Sequence, residues 1–227
     1  RRQGYTLSVV LVCLLTLLWE IHGVWPDKTW FPAVGAVGVL MISLWELIQS
    51  RRHPTRFSPT ENWALTVAGG TYLGLGGAYL IALRAAPDGF WWTLSALVAV
   101  WVSDSAAYFV GRRYGRHKMA PSISPGKSWE GYAAQVASGP LAGLLMAWLG
   151  RLIYGQAATL TYGGGAILGL VLSVLCPAGD FLVSMMKREV AVKDTSGLIP
   201  GHGGMLDRID SLLWAGIIGY VLAQWLR

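Results

Sequence analysis

Charged residues are scarce in this sequence, and their scarcity excludes an ordinary soluble domain. Only 13% of the 227 residues are Asp, Glu, Lys or Arg, whereas soluble domains average about a quarter. Hydrophobic residues make up 54% of the chain, and the mean hydropathy is +0.47. Both values are typical of an integral membrane protein. At about 20 residues per crossing, the length predicts one membrane domain over residues 1–227, without a separate soluble domain.

Cysteine is almost absent, and neither copy has the neighbours of a metal ligand or a disulfide partner. Cys13 and Cys176 lie inside apolar runs without CxxC spacing or a histidine cluster, so both are interpreted as small core residues. The sequence also lacks a basic helix with interleaved aromatic residues, which argues against nucleic acid as a partner despite the net charge of +6.

Long apolar runs are abundant and predict an all-α, polytopic membrane helix bundle. A run of this length and composition is typical of a transmembrane helix. About seven spans are predicted: Tyr5–Trp19, Trp30–Ile48, Trp63–Leu83, Phe90–Gly111, Trp129–Ile153, Gly163–Met186 and Met205–Leu226. A polar loop from Arg112 to Ser128 separates the fourth span from the fifth.

The distribution of Lys and Arg predicts the orientation of this bundle. If Arg1 and Arg2 are cytoplasmic, alternate loops place most of the 18 Lys and Arg residues on the same side. The opposite side receives Lys28, Arg84, Arg151 and Arg227. This bias follows the positive-inside rule and puts both polar loops on the cytoplasmic face.

Charge is concentrated between Gly179 and Ser211, which indicates a site that handles charged ligands. On a helix, Asp180, Ser184, Lys187 and Arg188 would share one stripe. The glycine-rich segment that follows, Gly197–Gly204, suits a loop whose backbone N–H groups approach a ligand closely. Carboxylates flanked by cations and such a loop are typical of a metal-bound polyphosphate site.

A second group of polar residues lies upstream. Asp104 falls inside an apolar span, where an ionisable side chain is costly and indicates either a functional site or a paired structural charge. The segment Ser122–Gly131 contains Gly-Lys-Ser, but Pro121 replaces the first glycine that a P-loop needs, so a P-loop is excluded.

Two motifs in these regions resemble those of one enzyme family. The first motif consists of four segments: Ser-Met-Met-Lys-Arg at 184–188, Lys193-Asp194, Pro-Gly-His-Gly-Gly at 200–204 and Asp-Arg-Ile-Asp at 207–210. The spacing of these segments matches the pattern without insertions or deletions. This pattern resembles the signature of the CDP-diacylglycerol synthases, or phosphatidate cytidylyltransferases. Ile123-Ser124-Pro125 with Lys127 and Glu130-Gly131 resembles a second motif of that family, with departures at Gly126 and Ser128. The resemblance covers about Asp104 to Ser211, which makes residues 101–227 the catalytic portion and residues 1–100 N-terminal transmembrane helices.

The resemblance implies an enzyme that transfers a cytidylyl group from CTP to phosphatidate, giving CDP-diacylglycerol and pyrophosphate in phospholipid biosynthesis. A divalent cation would screen the phosphate charges of this reaction, so we expect Mg²⁺, with a second cation left open, held by Asp180, Asp207 and Asp210. Lys187 and Arg188 complete the expected catalytic set. The expected substrate-binding residues are Asp104, Ser124, Lys127, Ser184, Lys193, Asp194, His202, Gly203, Gly204 and Arg208.

Two other functions are compatible with these residues. A CTP-dependent polyprenol or lipid kinase would also use a metal, CTP and a lipid acceptor at the membrane interface. A transporter would also place acids in a membrane bundle, but it should show repeated halves, and none is visible. The expected location is the bacterial inner membrane, with the active site facing the cytoplasm. The oligomeric state is left open, with a homodimer among the options.

Overall fold

Helices account for most of the chain. The computed structural model describes residues 59–189, 191–192 and 204–226, together with positions 40, 41, 43, 44 and 48. Its complete helices are α1 (Pro59–Ala85), α2 (Gly89–Tyr114), α3 (Trp129–Tyr154), α4 (Tyr162–Leu175), α5 (Pro177–Glu189) and α6 (Leu206–Leu226).

Five helical stretches within the described residues are long and apolar enough to cross a membrane. They are Trp63–Ala85, Gly89–Tyr114, Trp129–Tyr154, Tyr162–Glu189 and Leu206–Leu226. The third to seventh predicted spans are therefore confirmed as helices to within a few residues. The first predicted span and most of the second lie outside the described residues, so the count of about seven stays a prediction.

The sixth predicted span, Gly163–Met186, is interrupted, whereas the sequence predicted one continuous helix. Its helix ends at Leu175, and a new helix begins at Pro177. Proline has no N–H, so it cannot bond to the carbonyl of Ser173 four residues earlier, but it is well suited to the first turn of a helix. Tyr132 on α3 donates its hydroxyl to the carbonyl of Val174 at 3.1 Å beside the break. The polar end of the span, α5, thus becomes a separate helix.

The polar loop between α2 and α3 contains a short hairpin, so the fold is not purely helical. Strands β1 (Lys118–Ala120) and β2 (Ser124–Ser128) pair antiparallel, with Lys118 opposite Ser128 and Ala120 opposite Ser124. The pairing is irregular because residues 125–127 of β2 face one residue of β1. Such a bulge bends a strand and redirects its side chains.

The core lies between α2, α3, α4 and α6. Trp92 on α2 is fully buried, and its indole N–H donates to Thr159 Oγ1 at 2.9 Å. Helices α3 and α4 approach closely because Gly143 lies against the backbone of Gly165, where a Cβ atom would clash. Small residues at such crossings are typical of helix packing in membranes.

The chain divides into two compact units, Arg1–Ile81 and Ala82–Arg227. In the first unit, Trp63 donates its indole N–H to Ser43 Oγ at 2.8 Å. The second unit contains the hairpin, helices α2 to α6 and the described predicted site residues. Large apolar side chains such as Phe109, Leu141 and Leu152 are exposed on its helices, as expected for surfaces that face lipid.

Candidate active site

Lys127 lies among charged and aromatic groups at the start of α5. It belongs to the bulged part of β2, and its Nζ is 2.6 Å from Asp180 Oδ2. The same ammonium lies 4.1 Å from the centre of the Phe181 ring and donates to the carbonyl of Pro177 at 3.5 Å. The first turn of α5, which begins at the break, therefore provides these contacts to Lys127.

Carboxylates from three helices interact electrostatically with this ammonium, and that of Asp180 contacts it. Asp104 on α2, Asp180 on α5 and Asp210 on α6 interact electrostatically with one another and with Lys127. Gln135 on α3 donates its amide N–H to Asp104 Oδ1 at 2.6 Å, which orients that carboxylate. Three acids around one ammonium leave an excess of negative charge, which attracts cations.

A close helix approach brings two of these acids together. Gly179 precedes Asp180, and a Cβ atom at this position would lie 2.6 Å from Trp214 Cδ1 and 2.7 Å from the carbonyl oxygen of Asp210. A larger residue would therefore push α5 away from α6. Glycine at this position lets the backbones that carry Asp180 and Asp210 come within contact distance.

A second ion pair lies on the same two helices. Lys187 Nζ is 2.7 Å from Asp207 Oδ1, and both side chains are largely shielded from solvent, with 14% and 12% of their surface exposed. The backbone N–H of Gly204 donates to Asp207 Oδ2 at 2.9 Å. Asp207 thus joins the cation of α5 to the end of the glycine-rich segment.

The predicted polar stripe of α5 is confirmed as one helix, Pro177–Glu189. Ser184 donates its hydroxyl to Asp180 Oδ1 at 3.3 Å. Arg188 donates its Nε–H to the carbonyl of Ile123 at 3.2 Å, and so reaches the hairpin. The stripe therefore faces both the hairpin and α6.

The structure describes some of the other predicted site residues and leaves the rest outside the described ranges. Ser124 begins β2 and is half-buried, whereas Arg208 is exposed in the first turn of α6. Gly204 is buried and contacts Asp207. Lys193, Asp194, His202 and Gly203 lie outside the described residues, and their predicted roles stay predictions.

The oxygen atoms that these side chains offer are the type of ligand that a hard divalent cation prefers. The predicted ligands Asp180, Asp207 and Asp210 offer carboxylate oxygens, which Mg²⁺ prefers, and Asp104 adds another that interacts electrostatically with Asp180 and Asp210. No three His, Cys, Asp or Glu side chains converge on one metal position within the described ranges. The ammonium groups of Lys127 and Lys187 contact Asp180 and Asp207 there. The metal ligands therefore stay a prediction.

Two residues of the site were missed from the sequence, and a third was recognised only as part of a motif. Gln135 is buried inside an apolar helix, and its polarity in that setting was a usable signal. Phe181 packs against Lys127, but an aromatic residue in an apolar run carries no signal of its own. Glu130 was noticed only as part of a motif, although its carboxylate lies 2.6 Å from His117 Nδ1.

Comparison with known proteins places the whole chain in one family. The model of the cytidylyltransferase family matches residues 1–226, which extends well beyond the segment that carries the motifs. The chain is 30% identical to the phosphatidate cytidylyltransferase of Mycobacterium leprae over 238 residues, 98% of this chain and 72% of that protein.

Shorter alignments give higher identities. The phosphatidate cytidylyltransferase of Haemophilus influenzae is 48% identical over 129 residues, 55% of this chain and 42% of that protein. The corresponding protein of Brucella suis is 37% identical over 168 residues, 74% of this chain and 59% of that protein. The resemblance seen in the motifs is thereby confirmed, and this chain belongs to the cytidylyltransferase family that includes the phosphatidate cytidylyltransferases.

Proposed function

We propose that this protein transfers the cytidylyl group of CTP to phosphatidate, giving CDP-diacylglycerol and pyrophosphate. Membership of the family supports the reaction, and the observation that carries the proposal to the residues is the grouping of Lys127 with Asp104, Asp180 and Asp210. The direct test is CTP labelled at one phosphate, because cytidylyl transfer moves only the α-phosphate into lipid.

The chemistry requires a site that holds several negative charges in one geometry. A lipid phosphate oxygen forms a bond to the α-phosphorus of CTP, and the bond from that phosphorus to the bridging oxygen of the β-phosphate breaks. Nucleophile and electrophile are both anionic, so the site must screen their repulsion and hold the attacking and leaving oxygens in line. No general base is required, because a phosphate monoester is already ionised near pH 7.

The cations of the site would bind the phosphates. Lys127 and Lys187 already lie close to acids, and Arg188 lies beside the hairpin, so a triphosphate could take contacts from both sides of α5. Guanidinium groups bind phosphate through paired N–H bonds, whereas ammonium groups act as point charges. The proposed phosphate contacts are Lys127, Lys187, Arg188, Lys193, His202 and Arg208.

The acids would hold the metal. Asp180, Asp207 and Asp210 are the proposed Mg²⁺ ligands, with Asp104 beside two of them. Bound Mg²⁺ would neutralise phosphate charge and fix the orientation of the triphosphate. When metal and nucleotide bind, Lys127 and Lys187 can exchange their carboxylate partners for phosphate oxygens. The scheme needs one protomer, and homodimer formation stays a prediction.

The membrane supplies the lipid substrate. A phosphatidate headgroup lies at the interface, and its acyl chains can stay in the bilayer beside the apolar helices. The proposed location is the bacterial inner membrane, with the site open to the cytoplasm, because the positive-inside rule puts its loops there and CTP is cytoplasmic.

Cysteine labelling tests this orientation. In a variant with Cys13 and Cys176 replaced by alanine, Ser196→Cys is expected to react with a membrane-impermeant maleimide in inside-out vesicles and not in intact cells. A cysteine at Gln156, in the turn after α3 and so on the opposite side, is the matched control with the reverse pattern. Labelling of Ser196→Cys in intact cells would contradict the orientation.

A further inference from the structure

The hairpin that carries Lys127 is fixed at its base by one side chain. Glu130, in the first turn of α3, accepts the backbone N–H of His117 with both carboxylate oxygens, at 3.2 and 3.3 Å. Its Oε1 also lies 2.6 Å from His117 Nδ1. An ionised carboxylate only accepts hydrogen bonds, so Nδ1 is the protonated ring nitrogen and donates to it.

Neighbouring contacts close the same end of the hairpin. The backbone N–H of Trp129 donates to the carbonyl of His117 at 2.9 Å, so both backbone groups of His117 are held by the start of α3. Ser128 is buried, and its hydroxyl accepts the N–H of Gly131 at 3.3 Å, which caps α3. The two residues at the open end of the hairpin, His117 just before β1 and Ser128 at the end of β2, are therefore both held by the start of α3.

The hairpin needs such an anchor because it is small and irregular. Two short strands are marginally stable by themselves, and the bulge at residues 125–127 breaks the regular pairing just where Lys127 lies. At the far end, Arg188 holds the carbonyl of Ile123, but its side chain is exposed and belongs to another helix. Both contacts are exposed, but Glu130 meets His117 at three pairs of atoms, whereas Arg188 donates one bond to Ile123.

We propose that Glu130 is a positioning residue that clamps the hairpin through His117, so that Lys127 is already placed opposite Asp180 when CTP binds. This inference rests on the proposed function for the role of Lys127 toward phosphate, but the clamp itself is a property of the chain. Glu130 touches neither Lys127 nor Asp180 in the described contacts, and it acts through the hairpin backbone.

The clamp predicts a specific kinetic effect. Without Glu130, the hairpin holds Lys127 opposite Asp180 only part of the time. The apparent affinity for CTP then falls in proportion to the fraction of molecules in that conformation. Loss of hydrogen bonds to a charged acceptor corresponds to about a tenfold rise in the KM for CTP. Saturating CTP draws Lys127 back into place, so kcat should stay within about twofold. A residue that took part in the chemistry would lower kcat instead.

Variants at the two ends of the contact separate the backbone bonds from the ring bond. Glu130→Ala removes both and should raise the KM for CTP about tenfold. Glu130→Gln keeps an acceptor oxygen and should restore most of the affinity, and His117→Ala keeps the backbone N–H and should change KM less than about threefold. Asp88→Asn is the matched control, because Asp88 is exposed, and asparagine tolerates its left-handed backbone (φ 49°).

Hydrogen exchange of the purified protein without substrate is the decisive second measurement. Glu130→Ala should speed exchange at the amides of residues 117–128 while the interiors of α2 and α3 keep their protection, and Glu130→Gln should do so to a smaller extent. Unchanged exchange over 117–128, or a fall in kcat at constant KM, would overturn the clamp. A wild-type protein that fails to transfer the cytidylyl group would refute the proposed function and leave the exchange result as an independent test.

Discussion

Asp207→Asn is expected to lower kcat on the order of a hundredfold or more, with the protein still folded. The substitution keeps the size of the side chain but removes the charge that a hard divalent cation needs. It also leaves Lys187, 2.7 Å away and mostly shielded from solvent, without that counter-charge. The activity of purified enzyme in detergent with lipid is the readout, and elution as a single species shows that the fold is retained.

Two possible roles of Asp207 make different predictions in this experiment. If Asp207 is a metal ligand, the Mg²⁺ concentration for half-maximal activity should rise strongly in Asp207→Asn. If it only neutralises Lys187, that concentration should not change. Asp88→Asn, an exposed acid-to-amide change away from the site, should behave as wild type. Near-normal turnover of Asp207→Asn with Mg²⁺ would mean that the metal site is elsewhere.

Lys127→Met is the second substitution for which we expect a large loss. Methionine keeps an apolar stem that can pack on Phe181 and removes the ammonium that lies 2.6 Å from Asp180. Loss of one preorganised charged contact to the reacting phosphates should lower kcat/KM on the order of a hundredfold. Lys127→Arg should recover part of this loss, because it restores charge but not the shape of the ammonium.

Lys118→Met provides the matched control for Lys127. Lys118 lies on the other strand of the same hairpin and is exposed. If the hairpin only needs positive charge, both lysine variants should lose activity alike. The structure predicts that Lys118→Met stays within about twofold of wild type, since exposed charges away from a site contribute little. Equal losses in the two variants would contradict the assigned role of Lys127.

The helical parts of this fold were largely predictable, because apolar runs in a membrane protein have few alternatives to helices. The break at Pro177 was not predicted. A proline in an apolar run does not by itself indicate a break, since Pro140 lies inside the continuous helix α3 without ending it. Whether a proline breaks a helix depends on which neighbours take up the freed carbonyls. At the break, Tyr132 donates its hydroxyl to the carbonyl of Val174.

The site was predictable in its residue types but not in its pairing. A motif identified Lys127 and the polar stripe identified Asp180, yet nothing in the sequence joins positions so far apart. Their contact depends on the bulge in β2 and on the helix that starts at Pro177. Asp104 was predicted as a substrate contact, and its place beside Asp180 and Asp210 follows from helix packing that includes the close approach at Gly179.

The destination of each phosphate of CTP tests the central proposal most directly. Purified protein is incubated with Mg²⁺ and CTP labelled at either the α or the γ position, with phosphatidate, diacylglycerol or a polyprenol as acceptor. Cytidylyl transfer predicts that the α label enters lipid only with phosphatidate and that the γ label leaves as pyrophosphate, since phosphatidate brings an ionised phosphate as its nucleophile, whereas a neutral hydroxyl would need a general base. Recovery of the γ label in lipid, with release of CDP, would show a kinase and contradict the proposal.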